Sequence, residues 1–162
     1  MPLKIGDQAP DVTLPSTSGQ PVSLASLWAQ QPLVVLFFPL AFTSTCTQEL
    51  CTVGDDLGAY TELGGQVVAV SVDSPFSLDR FRKETGATYP FLSDFNRTAS
   101  QGFGVLRQSP LGPGLTGVSD RAAFVVGTDG RIAYVWHDTN PSLLPPFAEI
   151  KDALKQIQGA AA

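Results

Sequence analysis

The sequence of 162 residues is poor in several residue types on which common functions depend. Two cysteines are too few for a disulfide framework, and the one histidine, His137, has no second ligand at metal-binding spacing. With 10 Lys or Arg residues against 15 Asp or Glu, the net charge of −5 argues against nucleic acid and anionic membranes as partners. The longest apolar run, residues 33–42, contains Pro39 and is far shorter than the roughly 20 residues that cross a bilayer. Glycine-rich phosphate loops and dinucleotide fingerprints are also missing from the sequence.

The residues that are present describe a compact globular protein. Hydrophobic residues make up 43% of the chain, and its length fits one domain, which we assign to residues 1–162. Charged residues make up only 15%, below the usual quarter, which hints at an association surface. Residues 1–7 lack the apolar segment of a secretory signal. We therefore expect a cytoplasmic protein whose two cysteines stay reduced and serve catalytic chemistry.

Strand and helix patterns alternate along the chain, which predicts an α/β protein with parallel strands in its sheet. One helix is predicted from Thr45, where Thr45-x-x-Gln48 fits a capping box, to the Gly64-Gly65 pair, and another begins at Pro75. Residues 92–104 are predicted to be irregular. The predicted strands are residues 12–14, 21–24, 33–38, 67–72, 121–126 and 131–136, and the final helix covers residues 143–157, with a frayed tail over 160–162.

The reactive group of the chain is predicted to be the thiol of Cys46. It follows the buried strand and a short, hydroxyl-rich loop that begins at Pro39, in what reads as the first turn of a helix. The thiolate is the reactive form of cysteine, and the N-terminus of a helix stabilises an anion through unpaired N–H groups and its positive dipole end. Alternatively, Cys46 is a small buried apolar residue.

The pattern Pro39-x-x-x-Thr43-x-x-Cys46, directly after an apolar strand, resembles the active-site signature of the peroxiredoxins, which are thiol peroxidases. The resemblance extends to residues 6–11, 70–75 and 121–126 and so covers nearly the whole chain. It implies a thioredoxin-like fold, with a central mixed β-sheet flanked by helices and an N-terminal hairpin extension.

Two subgroups of the family share features with this chain. Residues 37–43 look most like the one-cysteine alkyl hydroperoxide reductase E type, whereas Cys46-Thr47-x-Glu49-x-Cys51 looks more like the bacterioferritin-comigratory, or Q, type. In the Q type, the second cysteine resolves the oxidised first one. The resemblance accordingly implies a monomer if the chain is of the Q type and a homodimer if it is of the E type.

The resemblance also implies a role for each matching residue. Cys46 is expected to attack a peroxide and become a sulfenic acid, with Thr43 directing its hydroxyl at the sulfur or the peroxide and Pro39 shielding the site. Arg121 is expected to lie beside the thiol and to keep it ionised. Glu49 is expected to pair with a basic group. No metal, haem or flavin is implied, and the loop over residues 108–120 is expected to border the site.

The resemblance implies that Cys51 resolves the sulfenic acid of Cys46 as a disulfide. It further implies that thioredoxin or a similar thiol reductant then reduces this disulfide. On one intact helix, however, a five-residue spacing separates the Cα atoms by roughly 8–9 Å, beyond the ~7 Å limit for a disulfide. Resolution therefore requires the first helical turns to unwind. Otherwise Cys51 packs against the sheet.

Three alternatives stay open at this point. The chain is a one-cysteine peroxidase resolved by an external thiol, a thiol–disulfide oxidoreductase, or a non-enzymatic redox sensor. The absence of a Cys-x-x-Cys motif argues against the oxidoreductase. Phe42, beside the thiol, could favour organic hydroperoxides, and His137 is expected to lie in a loop rather than to act as a ligand or base.

Overall fold

A five-stranded mixed β-sheet forms the centre of the computed structural model, which describes residues 1–161. The strands are β1 (Thr13–Pro15), β2 (Pro21–Ser23), β3 (Leu33–Phe37), β4 (Gln66–Ser71), β5 (Phe91–Ser93), β6 (Arg121–Val126) and β7 (Ile132–Asp138). The central sheet has the order β5-β4-β3-β6-β7, with β3 parallel to β4 and antiparallel to β6. Strands β1 and β2 form a separate antiparallel hairpin.

Helices lie on both faces of this sheet. They are α1 (Leu24–Trp28), α2 (Ser44–Asp55), α3 (Leu57–Glu62), α4 (Pro75–Thr85), α5 (Thr98–Gly102) and α6 (Phe147–Ala161). Helix α4 begins with Pro75 at its first position and is capped by the hydroxyl of Ser74, which accepts from the N–H of Ser77. Within residues 1–161, no helix has the length and apolar character needed to cross a membrane.

Strand β3 is buried on both faces, because its side chains alternate between two hydrophobic cores. Val34 and Leu36 point into the core that includes Leu50 of α2, whereas Val35 and Phe37 point into the opposite core, which contains Trp28. All five residues of β3 are fully buried. This double burial explains why the strand reads as a continuous apolar run rather than as alternating residues.

The predicted fold class is confirmed. The five-stranded mixed sheet is flanked by helices, and β1 and β2 supply the N-terminal hairpin. The strands predicted over residues 33–38 and 67–72 are present as β3 and β4, with ends displaced by one residue. The predicted hairpin of β6 and β7 is also present.

The helix predicted to run from Thr45 to the Gly64-Gly65 pair is wrong at its start and in its middle. It begins at Ser44 with Thr43 as the N-cap residue, and no side chain caps it, so the predicted capping box is not formed. It also breaks at Asp56, which separates α2 from α3. Two glycines, Gly54 and Gly58, and two aspartates lie around this break, and all are weak helix formers.

The prediction that residues 92–104 are irregular is wrong, because this segment contains the end of β5 and all of α5. Strand β5 is held by its parallel pairing with β4, and the start of α5 is held by buried Asp94, whose carboxylate accepts from the backbone N–H groups of Ala99 (2.9 Å) and Ser100 (2.7 Å). The carboxylate thereby accepts from two of the backbone N–H groups that have no acceptor within the first turn of α5. Such short elements are stabilised by tertiary contacts rather than by local sequence pattern.

The final helix begins at Phe147 rather than at residue 143. Pro145 and Pro146 precede it, and a residue before proline is disfavoured in the helical region. The helix continues through Ala161, within the tail predicted to fray, and Ala162 lies outside the described residues. His137 lies in β7 and not in a loop, which corrects the prediction for that residue.

Candidate active site

The site forms where α2 and β6 meet at one edge of the sheet. Chain reversal after β3 places Cys46 in the first turn of α2, as its third residue. Strand β6 runs antiparallel to β3, with Phe37 opposite Ala122, so Arg121 lies one position beyond the end of β3. Two residues separated by 75 positions in sequence are thereby brought into contact.

The guanidinium of Arg121 connects the polar groups of the site. Its Nη2 donates to Sγ of Cys46 at 3.1 Å and to the carbonyl oxygen of Pro141 at 2.9 Å, and its Nη1 donates to Oε1 of Glu49 at 2.7 Å. Arg121 and Cys46 are each 1% exposed. The positive charge therefore acts on the sulfur in a medium with little water to screen it.

Glu49 lies behind Arg121 and pairs with it, which is the pairing with a basic group that the family resemblance implied. Its side chain is fully buried, and its second oxygen, Oε2, has no hydrogen-bond partner among residues 1–161. Burial raises the pKa of Glu49 to about 7, against the opposing charge and hydrogen bond of Arg121. Burial opposes the charge of Arg121 as well, but the neighbouring Glu49 and Cys46 raise the pKa of Arg121 overall.

A cavity of about 260 Å³ opens over the sulfur of Cys46. It is lined by Pro39, Thr43, Ser44, Thr45, Cys46, Leu111, Arg121, Pro141 and Ser142. A water molecule takes up about 30 Å³ in the liquid, so the cavity is large enough for a molecule several times that size. The loop over residues 108–120 borders the cavity, as predicted, through Leu111.

Thr43 lines this cavity, but its hydroxyl does not donate to the sulfur. Oγ1 of Thr43 donates to the carbonyl oxygen of Leu40 at 3.0 Å, which differs from the expected orientation toward Cys46. That bond closes the tight loop between β3 and α2, in which exposed Phe42 takes a positive φ of 67°. The oxygen of Thr43 keeps lone pairs that can accept a proton donor from a bound substrate.

Cys51 lies outside the cavity, on the same helix as Cys46. Helix α2 is continuous from Ser44 to Asp55, and the two cysteines are not bonded to each other. Cys51 is half-buried. The intact helix keeps the two sulfurs too far apart for a disulfide, so a bond between them requires α2 to unwind.

Two parts of the site were not predicted from the sequence. The first is the segment around Pro141 and Ser142, which lines the cavity and supplies a backbone acceptor to Arg121. A backbone carbonyl leaves no side-chain signal, although the short distance in sequence from β7 could have suggested it. The second is Leu111, because the loop was predicted but the residue that faces the site was not. Among residues 1–161, no three His, Cys, Asp or Glu residues converge as a metal site.

Comparison with known proteins identifies the family to which this site belongs. The model of the AhpC/TSA family matches residues 5–135. The peroxiredoxin Bcp of Escherichia coli is 34% identical over 142 residues, which cover 87% of this chain and 90% of that protein. The alkyl hydroperoxide reductase E of Mycobacterium bovis is 33% identical over 134 residues, which cover 82% of this chain and 84% of that protein.

A solved bacterial structure has the same fold as this chain. The crystal structure of peroxidoxin BcpB from Mycobacterium tuberculosis has a TM-score of 0.82 and 32% sequence identity, with 99% of both chains covered. The relatives include proteins named for both subgroups whose features the sequence combines. The thiol, its buried arginine and the shared fold thus have one explanation, namely that the chain belongs to the AhpC/TSA family and is a peroxiredoxin, a thiol-dependent peroxidase.

Proposed function

We propose that this peroxiredoxin reduces hydrogen peroxide and alkyl hydroperoxides through a sulfenic acid on Cys46. In this proposal Cys51 resolves the sulfenic acid as an intramolecular disulfide, and thioredoxin or a similar dithiol reduces that disulfide. The observation that carries the proposal is the 3.1 Å contact from Nη2 of Arg121 to Sγ of Cys46, at the floor of an open cavity.

In the first step, the thiolate of Cys46 attacks the terminal oxygen of the hydroperoxide. The S–O bond forms as the O–O bond breaks, sulfur is oxidised to sulfenic acid, and the alkoxide or hydroxide that leaves takes a proton from water. Arg121 favours this step because its fixed positive charge stabilises the thiolate and the charge that develops on the peroxide.

The other residues around the cavity orient the peroxide and Arg121 or limit access to the sulfur of Cys46. The hydroxyl oxygen of Thr43 is available to accept from the hydroperoxide O–H, while backbone N–H groups in the first turn of α2 are available to donate. Buried Pro39 shields the sulfur on one side. Glu49 orients Arg121 through their 2.7 Å contact and does not itself face the cavity.

In the second step, the Cys51 thiolate attacks the Cys46 sulfenic acid. A disulfide forms, hydroxide leaves and is protonated to water, and the pair of cysteines has lost two hydrogens overall. The step requires α2 to unwind. A dithiol reductant then returns both cysteines to thiols, and its own two thiols become a disulfide. Because this recycling needs a pool of reduced thiols, the proposal includes a cytoplasmic location.

The intact α2 favours a second candidate, a one-cysteine mechanism. If the helix persists after oxidation, Cys51 cannot reach Cys46 and an external thiol must resolve the sulfenic acid. Both candidates share the first step and differ only in the second.

Intact mass after one equivalent of hydrogen peroxide, with free thiols blocked afterwards, tests the proposal. A loss of two hydrogens with both thiols unreactive supports resolution by Cys51. A gain of one oxygen with Cys51 still alkylated supports the one-cysteine mechanism. Cys46→Ser should abolish peroxide reduction, whereas Cys51→Ser should keep the first oxidation step, and full activity of Cys46→Ser would falsify the assignment.

A coupled assay tests the recycling step. Oxidation of NADPH in the presence of thioredoxin, thioredoxin reductase and peroxide should depend on this protein. If a glutathione-based system supports turnover and the thioredoxin system does not, the proposed reductant is wrong while the peroxidase step stands. A sulfenic acid that forms and is reduced by neither system would instead indicate a redox sensor.

A further inference from the structure

A buried ion-pair network lies beside the site and takes no part in the mechanism described above. Its members are Arg107, Asp120 and His137. Nη1 of Arg107 lies 2.8 Å from Oδ1 of Asp120, and Nε2 of His137 lies 2.9 Å from Oδ2 of the same carboxylate. The side chains of Arg107 and Asp120 are only 11% and 7% exposed.

The backbone of each member of the network is itself held by hydrogen bonds or strand pairing. The N–H of Asp120 donates to the carbonyl oxygen of Val105 at 2.8 Å, and the N–H of Arg107 donates to that of Val118 at 2.9 Å. His137 is held within β7, directly opposite Ala122 of β6. Each of the three side chains therefore has a fixed position before any substrate binds.

One bond leads from this network to the wall of the active site. Nη1 of Arg107 also donates to the carbonyl oxygen of Thr139 at 2.7 Å. Residues 139–142 then form a short turn, in which the N–H of Ser142 donates to Oδ1 of Asn140 at 3.0 Å. The same turn supplies Pro141 and Ser142 to the cavity and the Pro141 carbonyl to Arg121.

We infer that Arg107 is a positioning residue for peroxide reduction, acting through residues 139–142. Arg107 fixes one end of this turn through the carbonyl oxygen of Thr139. The other end then fixes Arg121 through the carbonyl oxygen of Pro141. Two of the contacts made by Nη2 of Arg121, to Sγ of Cys46 and to Pro141, then have fixed directions relative to each other. Asp120, which directly precedes Arg121 in the chain, orients Arg107, and His137 orients Asp120.

A contribution to folding stability explains this network less well than a role in orienting the active site does. A buried ion pair gains little net stability over an apolar pair of the same shape, because both charges must leave water. Its geometry, by contrast, is well suited to orientation, since one nitrogen of Arg107 joins two separate segments. Small misplacements of groups that align a reaction are costly for its rate, up to about 100-fold for 1 Å.

The test compares Arg107→Met, Arg107→Lys and Arg80→Met in the full-length protein. Because a single nitrogen makes both contacts, the ammonium of a lysine can satisfy both, whereas methionine satisfies neither. Arg80, whose exposed side chain pairs with Glu84 on α4, is the matched control. Two rates are measured for each protein: oxidation of Cys46 by hydrogen peroxide, and its alkylation by iodoacetamide at about pH 9.5. That pH lies above the ordinary cysteine pKa of about 8.5, so alkylation reports access to the sulfur.

We expect Arg107→Met to lower the peroxide rate at least tenfold while alkylation stays within twofold of the wild type. Arg107→Lys should restore the peroxide rate to within threefold, and Arg80→Met should match the wild type. The inference is overturned if Arg107→Met keeps its peroxide rate, if lysine is as impaired as methionine, or if both rates fall in parallel.

Asp120→Asn provides a second test should Arg107→Met fail to fold, because it is nearly isosteric. We expect about a threefold lower peroxide rate with unchanged alkylation, and an unchanged peroxide rate contradicts the inference. The inference rests on the proposed function, and the two fail differently. If the proposed function is wrong, the wild type itself does not reduce peroxide; if only the inference is wrong, the wild type is active and its variants equal it.

Discussion

At the scale of single residues, one buried guanidinium serves two acidic groups. Arg121 donates to the sulfur of Cys46 and to the carboxylate of Glu49, and none of the three side chains is more than 1% exposed. If both acidic groups are ionised, the site carries one negative charge in excess, in a medium where charge is poorly solvated. Ionisation of Glu49 therefore competes with ionisation of the thiol for the same cation.

The pH dependence of stability should report this competition. Burial raises the pKa of Glu49 from 4.5 to about 7, so between these values the folded protein holds a proton that the unfolded chain releases. Stability from this group is therefore full below about pH 4.5 and is lost as the pH rises through about 7, by at most roughly 3 kcal/mol. Glu49→Gln does not titrate and should lack this loss.

Urea unfolding of the reduced protein at pH 5 and pH 8 measures the effect. The free energy of unfolding should fall more between these pH values for the wild type than for Glu49→Gln. Glu62→Gln, at an exposed position of α3, is the control and should follow the wild type. Parallel behaviour of Glu49→Gln and the wild type would show that Glu49 is ionised throughout.

Replacement of Arg121 should slow peroxide reduction more than any charge change at the surface. Arg121→Ala removes the donor to Cys46, and loss of one such donor costs about 10²–10³ in rate in comparable sites. Arg121→Lys keeps the charge but not the fork that reaches Cys46 and Glu49 together, so an intermediate rate is expected.

Stopped-flow measurement of the second-order rate constant with hydrogen peroxide checks this order. Arg131→Ala, which removes an exposed arginine in the turn directly before β7, should match the wild type. If Arg121→Ala reacts within threefold of the wild type, Arg121 does not act in the chemical step.

At the scale of elements, helix α2 has two conflicting tasks. In the proposed mechanism, its first turn must stay formed to orient Cys46 toward peroxide, and it must open if Cys51 is to reach Cys46. Gly54 lies near the end of α2, and glycine weakens a helix by about 1 kcal/mol relative to alanine. A methyl group at this position would lie 3.7 Å from Cε1 of Tyr89, which is an ordinary contact.

Gly54→Ala should therefore slow disulfide formation without slowing peroxide oxidation. About 1 kcal/mol of added helix stability corresponds to roughly a fivefold slower opening. Rapid quenching after peroxide addition, followed by mass analysis, separates the two steps. Gly58→Ala in α3, where an added Cβ has no atom within 4 Å, makes the same chemical change outside α2 and should leave both steps unchanged. Equal effects of the two substitutions would contradict the unwinding of α2.

Leu111 should affect the choice of peroxide. It provides an apolar wall of the cavity from a loop closed by the bond between its N–H and the carbonyl oxygen of Leu115, at 2.9 Å. Leu111→Ala removes apolar area that only an organic hydroperoxide can cover, worth about 1–2 kcal/mol. We expect roughly a fivefold to thirtyfold lower rate with cumene hydroperoxide and a rate within twofold with hydrogen peroxide.

The control for this prediction comes from the same loop. Leu115 is 44% exposed and does not line the cavity, so Leu115→Ala should change neither rate. Equal losses with both peroxides in Leu111→Ala would mean that the loop supports the site as a whole and does not select the substrate.

The elements that could be predicted from sequence are those with a local cause. Strand β3 is predictable because burial on both faces produces an uninterrupted apolar run, and the start of α4 because Pro75 and a serine cap mark it. Strand β5 and helix α5 are not, because β5 is a three-residue strand defined by its pairing with β4, and α5 is a single turn held by the buried carboxylate of Asp94. The start of α6 is predictable in principle from Pro145 and Pro146, because a residue before proline is disfavoured in the helical region.

The candidate site divides in the same way. Pro39, Thr43 and Cys46 can be recognised because they lie on one short segment with a fixed spacing. The contact between Arg121 and Cys46 spans 75 residues, so no local spacing predicts it; the family resemblance alone led us to expect it, and the pairing of β6 with β3 produces it. The hydroxyl direction of Thr43 and the Pro141 carbonyl depend on backbone geometry, which residue type does not reveal.

At the scale of the whole molecule, the central sheet couples two hydrophobic cores. Trp28 belongs to the core on one face, and Trp136 packs against the core on the other face. Strand β3 contributes alternate side chains to both, so neither core can lose its packing without exposing the other side of the same strand. For this reason we propose that the described chain, residues 1–161, unfolds as one domain.

Unfolding should therefore be a single transition that both tryptophans report. Trp28→Phe leaves Trp136 as the fluorescent probe of one face, and Trp136→Phe leaves Trp28 as the probe of the other. For each variant, the urea midpoint from fluorescence should coincide with the midpoint from far-ultraviolet circular dichroism, as two-state unfolding requires. Comparing two probes within one variant removes the effect of the substitution on stability. If fluorescence and circular dichroism separate in either variant, the corresponding face unfolds on its own and the chain behaves as more than one cooperative unit.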